Sequence, residues 1–408
     1  MLQSERSELD APVHRGFRHH TRMTRTITLG LLPPLNSGLK TLAQAGQHTR
    51  LIEQYFRAYA LAFDETLYFS YVNERLEDYT EDHGLQSQVR VLPGGQGQLY
   101  TFRLPFRWAR ELRRCDVLRV FQITGAIPAA MARLRWGLPF AATYGYRYAR
   151  VAHTEGRITR AVMLWALEQI GLRAANAVIV TTPALARHVE RTVAAERVHL
   201  IPNSVDVERF TPAVHPPGRR SLIFVGRLEP QKNLLMLIDA LAQVRPAPHL
   251  VIVGDGSQRD AIANTAARRG VSIEMRGVLD HEALPAILQA ADAFVLPSLV
   301  EGHPKALLEA MSCGLPCVGL NVPGTRDVIR HEETGLLCEP NAEALAAGLV
   351  RTLKDAALAN RLGRAARAWI RANYSARAVM QQEIELLHRL AGNRAPSERR
   401  LCKGDGAP

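Results

Sequence analysis

Two carboxylates, Glu301 and Glu309, stand eight residues apart in the stretch Ser298-Leu-Val-Glu301-Gly302-His303-Pro304-Lys305-Ala306-Leu307-Leu-Glu309. The apolar run Asp292-Ala-Phe-Val-Leu-Pro297 before them has strand length, and Pro304 sits where a helix would place its first residue. The order is therefore strand, loop, helix. At about 3.6 residues per turn, Glu301 falls in the loop and Glu309 more than a turn into the helix. Between them lie the free N–H groups of a helix N-terminus, which favour phosphate. A second cluster, Ser221-Leu-Ile-Phe-Val-Gly226-Arg227-Leu-Glu-Pro230-Gln-Lys232, reads as a buried strand, a turn and a helix start. Gly226 lets the backbone turn close to a ligand. Arg227 offers a planar fork and Lys232 a point charge where a pyrophosphate would sit. As plain surface charge near a helix start they would oppose the helix dipole. An anion site flanked by two carboxylates suits a sugar nucleotide.

Other motifs narrow the chemistry. His249-Leu-Val-Ile-Val-Gly254-Asp255-Gly256 resembles the start of a dinucleotide fingerprint, but Arg259 replaces its third glycine and the stretch lies mid-domain. A nicotinamide enzyme is disfavoured. Cys313 and Cys317 have no second pair, so zinc is not expected. The five cysteines, an odd count, read as reduced thiols. Lys305 either adds a phosphate contact or pairs with Glu309 four residues on, the latter being preferred.

The elements that must position these groups alternate along the 408 residues. Apolar strand-length runs occur at Ile27–Leu32, Glu65–Tyr71, Val89–Leu92, Val117–Phe121, Phe140–Thr143 and Ala177–Val180, with helix-like sequence at Leu51–Phe63. That alternation predicts parallel sheets covered by helices. After Glu309, Leu315–Leu320 reads as a strand and Val322–Asp327 as a turn entering a helix. Arg103, Arg107, Arg110, Arg113 and Arg114 recur at helical spacing among Leu104, Phe106, Trp108 and Leu112. Such a stripe fits either an anionic membrane surface or a solvated face. The formal net charge of +12 favours anionic ligands or an anionic membrane face. No apolar run reaches spanning length and no signal-peptide core follows the basic start, so a cytoplasmic protein is expected, with a peripheral place at the inner membrane face left open.

Glu301, seven intervening residues and Glu309, set in PSLVEGHPKALLEAMSCGLP, resemble the paired-glutamate motif of the retaining glycosyltransferases of family four, which have the GT-B fold. The stretch from Val198 to Pro212 is also similar to the family where the chain leaves its first domain. The resemblance covers nearly all of residues 26–392, closely from Ile201 onward and loosely before it. It implies an α/β protein of two Rossmann-like domains facing a cleft. In the family, residues matching Arg227 and Lys232 bind the donor diphosphate and stabilise it as it leaves. With Glu301, which would bind the sugar hydroxyls, they form the implied catalytic set. The implied donor contacts are Gly226, Gly254, Arg276, Val278, Gly302, His303, Pro304, Lys305, Ala306, Leu307 and Glu309, with Glu309 on the ribose and Arg276 to Val278 beside the base. No metal or cofactor is implied, and the Asp-x-Asp motif of the other glycosyltransferase fold is absent from the sequence.

The chain departs from the family at Gly145, where many members carry a histidine that contacts the donor sugar. Tyr146 or Arg147 could alter that part of the site; His153, eight residues beyond Gly145, is too distant to substitute. Asn36-Ser37-Gly38 occupies the place of the family's glycine-rich loop, making Gly38 and Lys40 phosphate neighbours unless the segment is an ordinary strand-to-helix turn.

The expected organisation is a basic tail over 1–25, an acceptor-side domain over 26–210, a linker over 211–218, a nucleotide-sugar domain over 219–375, a helix over 376–392 crossing back to the first domain, and a tail over 393–408. The expected activity is transfer of a sugar from a nucleoside-diphosphate sugar to a glycan or lipid-linked acceptor, in envelope polysaccharide or glycolipid synthesis. Nucleic acid is not an expected partner. A non-catalytic sugar-nucleotide binder on the same fold stays open, as does a phosphorylase or epimerase.

Overall fold

The computed structural model describes residues 26–95, 99–154, 156–212 and 220–393. The tail expected over 1–25, most of the linker and the chain from 394 lie outside the described residues. Seven strands, β1 (Thr28–Leu32), β2 (Glu65–Phe69), β3 (Val89–Leu92), β4 (Val117–Val120), β5 (Phe140–Tyr144), β6 (Ala177–Val180) and β7 (Val198–Leu200), form one sheet in the order β3-β2-β1-β4-β5-β6-β7. Six more, β8 (Ser221–Val225), β9 (His249–Val253), β10 (Ile273–Gly277), β11 (Ala293–Leu296), β12 (Cys317–Leu320) and β13 (Leu336–Cys338), form a second in the order β10-β9-β8-β11-β12-β13. Every described strand pair in both sheets is parallel.

Helices cover both faces of each sheet, so the central strands are buried on both sides. That is why β4, β6, β11 and β12 are buried at every position, and β6, β11 and β12 read as continuous apolar runs instead of alternating ones, with β4 interrupted only by Arg119. In each sheet the order reverses beside the first strand, between β1 and β4 and between β8 and β11. Loops leaving the carboxyl ends of such a pair diverge and open a crevice, the usual ligand position in sheets of this kind.

The chain leaves the first sheet through Ile201–Phe210 and returns through Tyr374. The two crossings pair: Val205 N–H donates to Tyr374 O at 3.0 Å and Ala376 N–H to Val205 O at 2.8 Å. The helix Ala376–Gly392 then packs on the first sheet, where Glu383 accepts from Arg119 Nε at 2.6 Å and Nη2 at 3.1 Å. The Tyr59 hydroxyl donates to the same carboxylate. Each charge in this buried set thus has its partner, as burial demands.

Several elements differ from expectation. The Leu51–Phe63 helix starts earlier, at His48, and carries a π-helical segment over Leu51–Phe56. The arginine stripe is not one helix: it splits into Tyr100–Arg107 and Ala109–Arg114 at Trp108, whose φ of −110° and ψ of 31° leave the helical region. The turn at Val322–Asp327 does not enter a helix; the next regular element is β13. Among the described residues no helix is long and apolar enough to cross a membrane.

Candidate active site

The crevice of the second sheet is assembled from four loops. After β8, Gly226 donates its N–H to Val253 O at 2.9 Å and Leu228 donates to Asp255 O at 2.9 Å. A Cβ at Gly254, where φ is +130°, would stand 2.0 Å from Gly226 O, and one at Gly256 would meet Leu228 O at 2.6 Å. Only glycine permits that approach. The Gly254-Asp255-Gly256 turn therefore braces the Gly226–Leu228 segment. Gly254 N–H also donates to Gly277 O at 2.7 Å, tying in the end of β10.

Beyond Gly226, the turn Pro230–Lys232 ends at Asn233, in the left-handed region with φ 57°. It delivers Lys232 across the switch point to the loop after β11. There Lys232 Nζ donates to Glu301 Oε1 at 2.6 Å. This pair joins two of the three expected catalytic residues. Both side chains are largely shielded, at 15% and 9% exposure, which makes the pair stronger than a surface one. The third, Arg227, is exposed and makes no ion pair among the described residues.

Glu301 is held from behind by Gly324, whose Cβ position lies 2.5 Å from Glu301 O. Gly302 meets the other half of the molecule, since a Cβ there would stand 2.3 Å from Gly145 O. Alongside, Tyr146 Oη donates to Gln231 Oε1 at 3.0 Å. The nearest atoms to a Cβ at Gly145 would be the Thr143 and Thr181 methyls, at 3.6 and 3.7 Å, ordinary contact distances. Packing does not therefore impose glycine where the family's histidine is missing.

The helix following Glu301 is Lys305–Ser312, with Pro304 as its N-cap and not its first residue. No side chain caps it, so its first-turn N–H groups remain available to an anion beside the Lys232–Glu301 pair. Ala306 is half-buried and Leu307 fully buried, anchoring the helix under β11 and β12. His303 is also buried; its carbonyl accepts from Asn203 Nδ2 at 2.7 Å and its Nδ1 has no partner. Burial, with Lys305 adding to it, pushes its pKa down to about 4 and keeps the ring neutral.

Glu309 is buried and already engaged. Arg50, from the first half of the chain, donates through Nη2 to Glu309 Oε1, and His281 Nε2 lies 3.1 Å from the same oxygen. Burial alone would raise this carboxyl, but Arg50, the His281 hydrogen bond and Lys305 together hold it below the ordinary carboxylate value. Burial likewise lowers the His281 pKa in spite of Glu309; its Nε2 lies within reach of both Glu309 Oε1 and Arg50 Nε, the latter at 3.2 Å, while its buried Nδ1 has no partner. The expected pairing of Lys305 with Glu309 is not formed, because Arg50 reaches that carboxylate instead.

The expected site residues do not all converge. Arg276 is exposed at the sheet's edge and bound to Glu274 at 2.6 Å, while Val278 is 46% exposed beyond it. The backbone of Gly38 to Lys40 is not available to phosphate, although the Lys40 side chain is exposed. Glu74 fills the N-terminus of the helix Leu39–Gln44, accepting from Leu39 N–H at 2.8 Å and Lys40 N–H at 2.7 Å. A Cβ at Gly38 would itself strike Glu74 Oε1 at 2.5 Å, so this glycine makes room for a carboxylate.

Sequence reasoning missed Arg50, Glu74, His281 and Gly324. Arg50 and Glu309 lie 259 residues apart, and nothing local in either segment announces the other.

Two parallel Rossmann-like sheets with glycine-braced loops and an open helix N-terminus at the switch point define a two-domain GT-B protein. Two family models match adjoining parts of the chain: Glycosyltransferase Family 4 over residues 40–209 and Glycosyl transferases group 1 over residues 208–369. The chain belongs to glycosyltransferase family four. Similar curated proteins include the UDP-Gal:alpha-D-GlcNAc-diphosphoundecaprenol alpha-1,3-galactosyltransferase of Escherichia coli, 37% identical over 180 residues that cover 40% of this chain and 46% of that one. The glycogen synthase of Mycobacterium tuberculosis is 35% identical over 211 residues, 50% of this chain and 51% of that one. The chain spans about half the length of these curated relatives. Among solved structures, sucrose-phosphate synthase from Thermosynechococcus elongatus aligns with a TM-score of 0.77 at 22% identity, over 91% of this chain and all of that one. Anabaena HepE, solved in complex with UDP and glucose, aligns with a TM-score of 0.71 at 19% identity, over 90% of this chain and all of that one. These last two likenesses concern the fold.

Proposed function

We propose that the protein transfers a sugar from a nucleoside-diphosphate sugar to a glycan or lipid-linked acceptor, with retention of configuration and without a divalent ion. The observation that carries this reading is the Lys232–Glu301 pair at the second sheet's switch point, beside the uncapped Lys305–Ser312 helix. A leaving diphosphate needs cations and N–H donors where its charge develops. Lys232, Arg227 and the helix N-terminus supply them, with Gly226 and Gly254 allowing close backbone approach. On donor binding Lys232 exchanges its carboxylate for phosphate, and Glu301 turns to the sugar's hydroxyls. Glu309 receives the ribose, and the segment Arg276–Val278 the base. Residues 26–210 form the acceptor side and 219–375 the donor side. A place at the cytoplasmic face of a membrane, in envelope polysaccharide or glycolipid synthesis, is supported by the lipid-linked acceptor in the name of the Escherichia coli relative.

The test is calorimetric titration in excess chelator with uridine, guanosine and adenosine diphosphates, beside a nicotinamide dinucleotide. One nucleoside diphosphate is expected to bind. In the Arg227→Ala and Lys232→Ala variants binding is expected to weaken and turnover of the matching sugar nucleotide to fall about 100- to 1,000-fold. Binding of the dinucleotide alone would overturn the reading, and binding without turnover or sugar release would favour a non-catalytic binder.

A further inference from the structure

A cavity of about 290 Å³ reaches from the carboxyl ends of the first sheet's strands to the start of the Lys305–Ser312 helix, where it borders the donor site. Its volume is near the lower end for small-molecule sites, of room for about one sugar-sized ring. Gly226, Arg227, Lys232 and Glu301 do not line it. Its wall includes Tyr68, Thr143 and Thr181, whose hydroxyl oxygens are all buried without a hydrogen-bond partner. Buried hydroxyls left in this state cost free energy that a ligand's hydroxyls can recover.

The charges around the cavity leave one cation over. Arg119 is satisfied by Glu383, and Arg50 by Glu309. Lys305 also lines the cavity, yet makes no ion pair or side-chain hydrogen bond among the described residues. The two carboxylates that act on it, Glu309 and Glu383, are those already held by the arginines. An ammonium group in such a place lacks an anion. Burial accordingly pushes its pKa down to about 7, and an anion beside it would restore the charge.

We propose that this cavity is a subsite for a polyhydroxylated ring bearing a phosphate or carboxylate, with Lys305 binding the anionic group and Thr143, Thr181 and Tyr68 binding ring hydroxyls. Resting on the donor reading above, this ring is the acceptor, and its anionic group comes either from a free sugar or polyol phosphate or from a lipid headgroup.

The experiment is calorimetric titration of the full chain with glucose 6-phosphate, myo-inositol 1-phosphate, glucose, inorganic phosphate and dihexanoyl phosphatidylinositol below its micelle concentration. At least one phosphorylated ring is expected to bind tenfold or more tightly than glucose and inorganic phosphate. Lys305→Met is expected to weaken that binding at least tenfold, and Thr143→Val with Thr181→Val to weaken it several-fold. Preference for the lipid form over myo-inositol 1-phosphate assigns the anion to a headgroup, and the reverse assigns it to a free phosphate. Binding of no phosphorylated ring, or binding unchanged in Lys305→Met, overturns the proposal. Titration of the Thr143→Val with Thr181→Val variant with the three nucleoside diphosphates is the separate check on the donor site, since neither residue belongs to it: persistent nucleotide binding shows a folded protein in which only the second subsite has changed. For Lys305→Met, at the start of the donor helix, an unchanged thermal unfolding midpoint is the check on folding. Absence of nucleotide binding in the wild type defeats the donor reading while leaving the ring-phosphate result to be judged alone.

Discussion

His303 shows what a single residue costs inside this site. Burial and the nearby Lys305 lower its pKa from an ordinary 6.5 to about 4, so the folded protein takes up this proton only below the range in which the unfolded chain does. The stabilisation is therefore full above pH 6.5 and is lost as pH falls toward 4. On the order of 3 kcal/mol is at stake over that window. His303→Phe keeps a ring against Tyr374 and removes the titration, so urea unfolding is expected to show a shallower loss of stability between these limits; a pH profile matching the wild type would refute it. Residues of this kind divide by how local their signal is. Gly226, Lys232 and Glu301 were legible because each belongs to a strand-to-helix turn whose residues are contiguous. Glu74 was not, because it caps the Leu39–Gln44 helix from 35 residues away. The same distance hid the reason for Gly38, whose missing side chain accommodates a carboxylate instead of a phosphate.

Elements were legible where burial on both faces leaves an unbroken apolar run, as in Ala177–Val180, which matches β6 end to end; Val89–Leu92 matches β3 as well, although Arg90 is exposed on that edge strand. The edge strands β7 and β13, three residues each, are too short for such a run to stand out, and only pairing with a neighbour reveals them. The arginine stripe misled in another way: its helical spacing continues through Trp108, where the backbone does not. What survives is a face. The helices Tyr100–Arg107, Ile127–Trp136 and Ile158–Ala174 pack side by side, and nine of the fourteen exposed large hydrophobics among the described residues lie on them or one residue before. Phe106, Leu134 and Trp165 are 62%, 88% and 57% exposed, with Arg103, Arg107, Arg135 and Arg160 exposed among them. Apolar and basic groups on one side suit an anionic lipid surface. The wild type is expected to sediment with anionic liposomes at low salt. Arg103→Gln with Arg107→Gln should weaken this by about 2 kcal/mol, on the order of 30-fold, and Phe106→Ser with Trp165→Ser should weaken it at any salt concentration. Failure of the wild type to sediment would remove the lipid surface as the partner.

At the scale of the whole molecule, the two halves are joined by more than their crossing strands. Arg50 comes from the first half and Glu309 from the second, with side chains 11% and 5% exposed, and His281 N–H also donates to Gly46 O at 2.9 Å. Arg50 offsets the cost of burying Glu309, so the pair acts as a clasp across the cleft. Removing one partner of such a pair costs about 3–5 kcal/mol, whereas replacing both with neutral groups of similar size costs far less. Opening the cleft relieves the lone charge, because water then reaches the carboxylate. Arg50→Met is therefore expected to lower the unfolding midpoint and to enlarge the radius of gyration of the ligand-free protein in small-angle scattering. Glu309→Gln added to Arg50→Met should recover most of that loss, since the remaining amide needs no counter-charge. A double variant whose destabilisation equals the sum of its single ones would mean that the contact carries no coupling energy, and that the halves are held together by the Val205–Ala376 crossing and its packing alone.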